Sequence, residues 1–148
     1  MAEDAGLEGL DFLDECGSVA VAREYNGIGP EWAGAAVRGK ATKLFGLFEP
    51  AAVVHDLRNW RCEGGEAGFH AANGEFLRNC RRLADRAYPW WSWRRYRARA
   101  VARALFAIVE GPVGWKAWQD CERRRRNARR RNARRRTESN SPPASERS

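Results

Sequence analysis

Histidine is nearly absent from this chain of 148 residues, which has only His55 and His70. That scarcity excludes metal phosphohydrolases of the His-Asp type, which need several further His and Asp ligands. The four cysteines, Cys16, Cys62, Cys80 and Cys121, stand far apart without a Cys-x-x-Cys pair, which argues against a zinc site. No apolar run approaches the ~20 residues that span a bilayer. Met1-Ala-Glu-Asp lacks the basic and apolar regions of a signal peptide. Together these absences predict a soluble or peripheral protein whose thiols are free and buried in a reducing compartment. Period-two alternation is also missing, so strands are not expected. The predicted class is mostly α.

What is abundant is arginine, and it is unevenly placed. From Arg123 onward there are eleven Arg against Glu138 and Glu146, a local balance of +9 within a total of +8. Residues 1–122 therefore carry about −1. The length suits one small domain with tails, since a single core takes ~100–150 residues. Three regions are expected: an acidic N-terminal segment with a short helix (1–24), a helical domain (25–121), and a disordered tail (122–148), Arg-rich and then Ser/Pro-rich.

Leu7, Leu10 and Phe12/Leu13 give residues 3–15 an approximate helical spacing, weakened by two glycines. Tyr25-Asn26-Gly27-Ile28-Gly29-Pro30 is a breaker cluster, and residues 31–48 read as an irregular connection. Pro50 in a first turn, beside Glu49 at the positive helix end, predicts a helix to about Trp60. Cys62-Glu63-Gly64-Gly65 breaks it. A second helix follows from about Glu66 to Ala87, with Phe69, Phe76, Leu77, Cys80 and Leu83 at core spacing. Ser92 is a candidate N-cap for a third helix over 93–110, with Tyr96, Ala100, Val101, Ala104, Leu105 and Ile108 expected on its packed side. Gly111-Pro112 ends that helix. Val113, Trp115 and Trp118 form either a packed turn or a helix continuing into the basic tail.

The Gly-Gly turn makes the first two of these helices antiparallel neighbours. His55 lies nine to ten residues before the turn centre and Asn73 eight to nine after it, so they are expected to face each other. His55 and Asp56 point about 100° apart on their helix and can line two sides of one cleft. The layout suits a base beside a carboxylate-bound cation.

Tyr25-x-Gly27-x-Gly29, then His55-Asp56, then a polar residue three before Phe76, resembles the secreted phospholipase A2 superfamily. It is most similar to small bacterial and phage-borne members, which implies a cytoplasmic or virion-associated protein. These run from an Asn-Gly-Cys-Gly-Pro loop to Pro-Ala-Cys-x-x-His-Asp, then Ala-Asp-x-x-Phe and an Arg-rich helix. The resemblance covers about residues 24–118. It implies a Ca²⁺-dependent carboxylic ester hydrolase acting on the sn-2 ester of phospholipids. By that resemblance Tyr25, Gly27 and Gly29 offer backbone carbonyls to Ca²⁺ and Asp56 a carboxylate. His55 is then the general base, and Asn73 takes the place of the acidic residue that orients it. Hard Ca²⁺ takes oxygen ligands, and imidazole titrates where a base is useful.

The chain departs from that pattern at four positions. Ile28 and Ala52 stand where those members carry the two halves of a disulfide. Asn59 replaces a Tyr. Asn73 can accept from the His ring but adds no charge, and in the serine-protease triad a comparable Asp→Asn change costs about 10⁴-fold in turnover. Glu75 or Asp85 would substitute only in a different register. His70, one turn before Asn73, is expected on the surface.

Trp90, Trp91, Trp93, Trp115 and Trp118 fit either a membrane belt or a core or oligomer interface. Arg94 to Arg103 form a solvated face or a dock for anionic headgroups. In the tail, Arg123, Arg124, Arg125, Arg126, Arg129, Arg130, Arg131, Arg134, Arg135 and Arg136 repel one another with no apolar face to bury. That predicts disorder, or helix only when bound, with nonspecific attachment to nucleic acid phosphates or an anionic membrane. The alternative to an enzyme is a non-catalytic helical scaffold that binds nucleic acid or a phage or bacterial assembly through this tail. The oligomeric state is left open by the residues.

Overall fold

A computed structural model describes residues 6–11 and 46–139. The loop residues Tyr25, Gly27 and Gly29, and Cys16, lie outside the described residues. Among the described residues there are four α-helices and no strand, which is the mostly α class expected: α1 Glu49–Arg61, α2 Gly65–Ala87, α3 Trp93–Glu110 and α4 Pro112–Ser139. None of these helices is long and apolar enough to cross a membrane.

A 3-10 turn, Gly46–Phe48, leads into α1, with Pro50 in the first turn and Glu49 beside the helix N-terminus. Arg58 and Arg61 occupy the last turn, and Cys62 ends the helix in the left-handed region (φ 38°) with its N–H donating to Arg58 O at 2.8 Å. Gly64, at φ 88°, turns the chain into α2. Gly68 is required for another reason: a Cβ there would sit 1.8 Å from Glu63 O, so only glycine lets the turn close over the new helix. Ser92 caps α3 by accepting from the Arg94 N–H at 3.3 Å. All three helices begin and end within a residue or so of the positions expected.

α2 is the central element, packed between α1 and α3. The larger core gathers Phe48, Ala51, Phe76, Cys80, Ala84 and Ala102. Asp85 on α2 ties α3 in place, accepting from Arg95 Nε at 2.8 Å and from Arg99 at 2.7 and 2.6 Å. Those guanidinium bonds hold its carboxyl below its ordinary value, Arg99 contributing most. Residues 6–11 of the N-terminal segment pack against this body. Leu7 is buried in the core, and the Asn79 side chain accepts from the Glu8 N–H at 2.8 Å and donates to the Glu8 carbonyl at 3.0 Å. Arg78 and Arg82 pair with the Glu8 carboxylate. A smaller core closes the far end of the α1–α2 hairpin with Cys62, Phe69, Ala72 and Trp118.

Three expectations are corrected or narrowed. First, α3 packs through Ala98, Val101, Ala102 and Leu105, while Tyr96 and Ile108 are 62% and 67% exposed. Two alanines let α3 approach α2 closely, and the bulky side chains fall outside. Second, of the two readings of the Arg-rich run, disordered tail or continuing helix, residues 123–139 take the helix. The run continues α4 to Ser139; residues 140–148 lie outside the described residues. Trp115 and Trp118 anchor the first turns, so the Arg run propagates an existing helix rather than nucleating one. Arg126–Glu122 and Arg123–Asp120 pairs bridge successive turns, and the Thr137 hydroxyl donates back to Arg134 O at 2.7 Å. Third, the thiols are not all free. Cys62 and Cys121 form a disulfide, because α4 folds back across the end of α1 and brings their Cα atoms to 6.2 Å across 59 residues of sequence. Cys80 is free and buried, its thiol pushed up to about 12 by desolvation.

Candidate functional site

His55 falls on the inward face of α1 with Ala51, Ala52, Val54 and Leu57, and is 5% exposed. Asn73 is fully buried on the facing side of α2. His55 Nε2 and Asn73 Oδ1 meet at 2.8 Å, so the residues expected to face each other across the hairpin do so. The Phe76 ring packs on the imidazole with centroids 4.8 Å apart. Register is therefore as counted from the Gly-Gly turn. Neither Glu75 nor Asp85 takes the acidic place, since Glu75 accepts from Arg58 at 3.1 Å and Asp85 binds Arg95 and Arg99.

The partner of Asn73 was not anticipated. Asn73 Nδ2 donates to Glu110 Oε2 at 2.6 Å, and Glu110 Oε1 meets His70 Nδ1 at 2.5 Å. Glu110 is the last residue of α3, and it reaches Asn73 only because α3 runs back along α2. A carboxylate immediately before Gly111-Pro112 was the one available signal: a side chain at a forced helix end projects past it. His70 is on the surface as expected, 53% exposed, yet it is joined to the site through Glu110.

The Asn73 bonds bear on the His55 tautomer. Because the Asn73 amide N–H faces Glu110, its carbonyl oxygen faces His55 and can only accept. A bond to that oxygen calls for the ring hydrogen on Nε2, the tautomer that leaves the lone pair on Nδ1. Asn59 Nδ2 lies 3.3 Å from both ring nitrogens, and Asp56 Oδ1 is 3.7 Å from Nδ1. The arrangement is a basic imidazole nitrogen held by a histidine–amide–carboxylate chain. The amide is polarised by the anion behind it, which strengthens its oxygen as an acceptor.

Asp56, with a side chain 37% exposed beside His55, is the one expected Ca²⁺ ligand among the described residues. Its carboxylate has the hard oxygen chemistry that calcium takes, and its partial exposure leaves room for a cation. Among the described residues no group of three or more His, Cys, Asp or Glu is placed to hold a metal ion. A cleft of about 320 Å³ opens elsewhere on the hairpin, lined by Arg58, Arg61, Glu75, Arg78 and Trp118 and not by His55.

The ten tail arginines stand on α4. Arg125 pairs with Glu63 at 3.2 Å, while Arg123 and Arg126 pair within the helix. Arg124, Arg129, Arg130, Arg131, Arg134, Arg135 and Arg136 are exposed. At about 100° per residue they fall on every side of the helix.

Fold and site together define an all-α domain built on an antiparallel hairpin with a buried His–Asn pair backed by the part-exposed Glu110. No protein-family model, curated protein or solved structure matches this chain.

Proposed function

We propose that the protein is a phospholipase A2-like hydrolase that cleaves the sn-2 ester of phospholipids with His55 as general base. The observation that supports this reading most is the 2.8 Å contact between His55 Nε2 and Asn73 Oδ1 across an antiparallel hairpin. It engages one ring nitrogen, which supports a role as base for the other. In the proposed reaction Nδ1 takes a proton from a water as its oxygen attacks the ester carbonyl carbon. Asn73 Oδ1 holds the resulting imidazolium, and Glu110 supplies through the amide the negative charge that Asn73 lacks. Asn59 turns away from Nδ1 to admit the water. Calcium, bound by Asp56 and the carbonyls of Tyr25, Gly27 and Gly29, would polarise the ester carbonyl and stabilise the oxyanion.

The test is Ca²⁺-dependent release of fatty acid from anionic phospholipid vesicles. Wild type is expected to be active, His55→Gln inactive, and Glu110→Gln slower by about 10- to 100-fold. Asn73→Asp alone sets a second carboxylate against Glu110, whereas Asn73→Asp with Glu110→Gln keeps an acceptor for His55 and a donor behind it. That double variant is expected to match or exceed wild type. No hydrolysis by any of these proteins, with no Ca²⁺ binding by calorimetry, would overturn the proposal.

A second reading is favoured by α4, where the arginines extend on all sides of a helix instead of a loose tail. In that reading the domain is a scaffold whose helix binds nucleic acid phosphates nonspecifically, without sequence readout. Replacing the six arginines from Arg129 to Arg136 by Gln is expected to abolish retention of DNA or RNA at low salt. Retention by that variant at wild-type levels would remove α4 as the binding element.

A further inference from the structure

Among the described residues the outer face of α3 has no partner. Trp90 and Trp91 are 71% and 70% exposed, and Trp93 and Tyr96 little less. At about 100° per residue, Trp93, Tyr96, Ala100, Ala104 and Ile108 form one stripe on the side away from Ala98, Ala102 and Leu105. The stripe is roughly 20 Å long at 1.5 Å per residue. An aromatic and aliphatic surface of this extent, left in water, marks a site of interaction.

The charge around the stripe is of one sign. Residues 90–109 hold five Arg and no Asp or Glu. Arg95 and Arg99 are engaged by Asp85, while Arg94, Arg97 and Arg103 are exposed beside the apolar residues. The Arg97 guanidinium lies over the Trp93 ring, 5.8 Å from its centroid.

We propose that this face docks the protein on an anionic lipid bilayer, with Trp90, Trp91, Trp93, Tyr96 and Ile108 entering the headgroup–acyl boundary and Arg94, Arg97 and Arg103 on the lipid phosphates. Indole and phenol rings suit that boundary because one edge is apolar and the other polar, and arginine stems reach from it to the headgroups. A second copy of the chain fits less well: a two-fold contact would press Arg94, Arg97 and Arg103 toward their own counterparts with no acid between them. Single-stranded nucleic acid fits less well too. Arg97 already covers the Trp93 ring, and Ala100, Ala104 and Ile108 offer a base neither stacking nor a hydrogen bond. Docking is independent of hydrolysis, although it would bring α3, with Glu110 at its end, to a phospholipid surface.

The experiment is co-sedimentation of the full chain with vesicles of phosphatidylcholine alone or with phosphatidylglycerol, together with quenching of tryptophan fluorescence by brominated acyl chains. Wild type is expected to bind the anionic vesicles and to be quenched. Trp91→Ala with Trp93→Ala should reduce partitioning by about tenfold and lower the quenching, with the circular-dichroism melt unchanged. Arg97→Gln and Arg103→Gln should each weaken binding to anionic vesicles about fivefold. The Arg129–Arg136 to Gln variant should keep its quenching, which separates this face from α4. His55→Gln should bind as wild type does, so vesicle binding without fatty-acid release would uphold the docking face and sink the hydrolase reading. Unchanged partitioning of the tryptophan pair, quenching unaffected by it, a dimer that shields these tryptophans, or their protection by single-stranded DNA in place of vesicles would each overturn the proposal.

Discussion

The interior of the α1–α2 hairpin and the outer surface of α3 and α4 obey opposite rules within one small domain. In the hairpin the polar side chains of His55 and Asn73 are enclosed and joined, and the chain of bonds runs outward through Glu110 of α3 to His70 at the surface. Outside, bulky apolar residues that ordinarily seek a core are left in water, and α4 carries arginine around its whole circumference. Enclosed polar groups are costly when they lose a partner, whereas exposed apolar groups contribute little until something covers them. The first region therefore carries stability and the proposed chemistry, and the second carries surface available to other molecules.

Substitutions can break that contrast at graded strength. Phe76, 5% exposed and packed on the His55 ring, should show the largest effect: Phe76→Ala is expected to destabilise by about 3–5 kcal/mol in urea unfolding. Asn73→Ala leaves the His55 N–H and the Glu110 carboxylate facing a gap. A loss of about 2–3 kcal/mol is expected by the same measurement, and a neutral result would mean that the chain is not needed for stability.

The Asp85 cluster on the rim between the two regions should respond to pH. Its folded carboxyl lies below the ordinary 3.8, chiefly through Arg99 and then Arg95, so its contribution is present above pH 3.8 and lost as pH falls from there through the folded value. The Glu8 carboxyl, held below 4.5 first by Arg78, adds a loss of the same sign starting slightly higher. Asp85→Asn should cost about 1 kcal/mol at neutral pH, since partial exposure screens the cluster, and should flatten the acid limb of melting temperature against pH. A variant whose acid limb follows wild type would exclude Asp85 as its source. Smallest of all, Ile108→Ser or Tyr96→Ser should change thermal stability by less than about 0.5 kcal/mol. A larger drop would mean that the outer face of α3 is packed after all.

Much of the scaffold was legible because it rests on local chemistry. Pro50, the Gly64-Gly65 turn, Ser92 and Gly111-Pro112 each constrain the backbone where they stand, and the helix ends follow them. The meeting of His55 and Asn73 followed from equal counts on either side of one tight turn. The packed side of α3 was not legible, since hydrophobicity favours Tyr96 and Ile108 while packing favoured the small Ala98 and Ala102 against α2. Helix in α4 was left open for a related reason: like charges argue against an isolated arginine helix, but this one is seeded by Trp115 and Trp118. Calcium ligation at Tyr25, Gly27 and Gly29 falls outside the described residues.

Sequence alone, then, determined the helical class, the helix ends and the facing of His55 and Asn73, because breakers, caps and periodicity act over a few residues. Only the tertiary structure decided that Glu110 stands behind Asn73, that Cys62 meets Cys121, and that the tryptophans before α3 remain outside. Each depends on how one helix returns against another, across 37 residues for Asn73 and Glu110 and 59 for the cysteines. No local preference carries information over that span; the packing of α2 against its neighbours does.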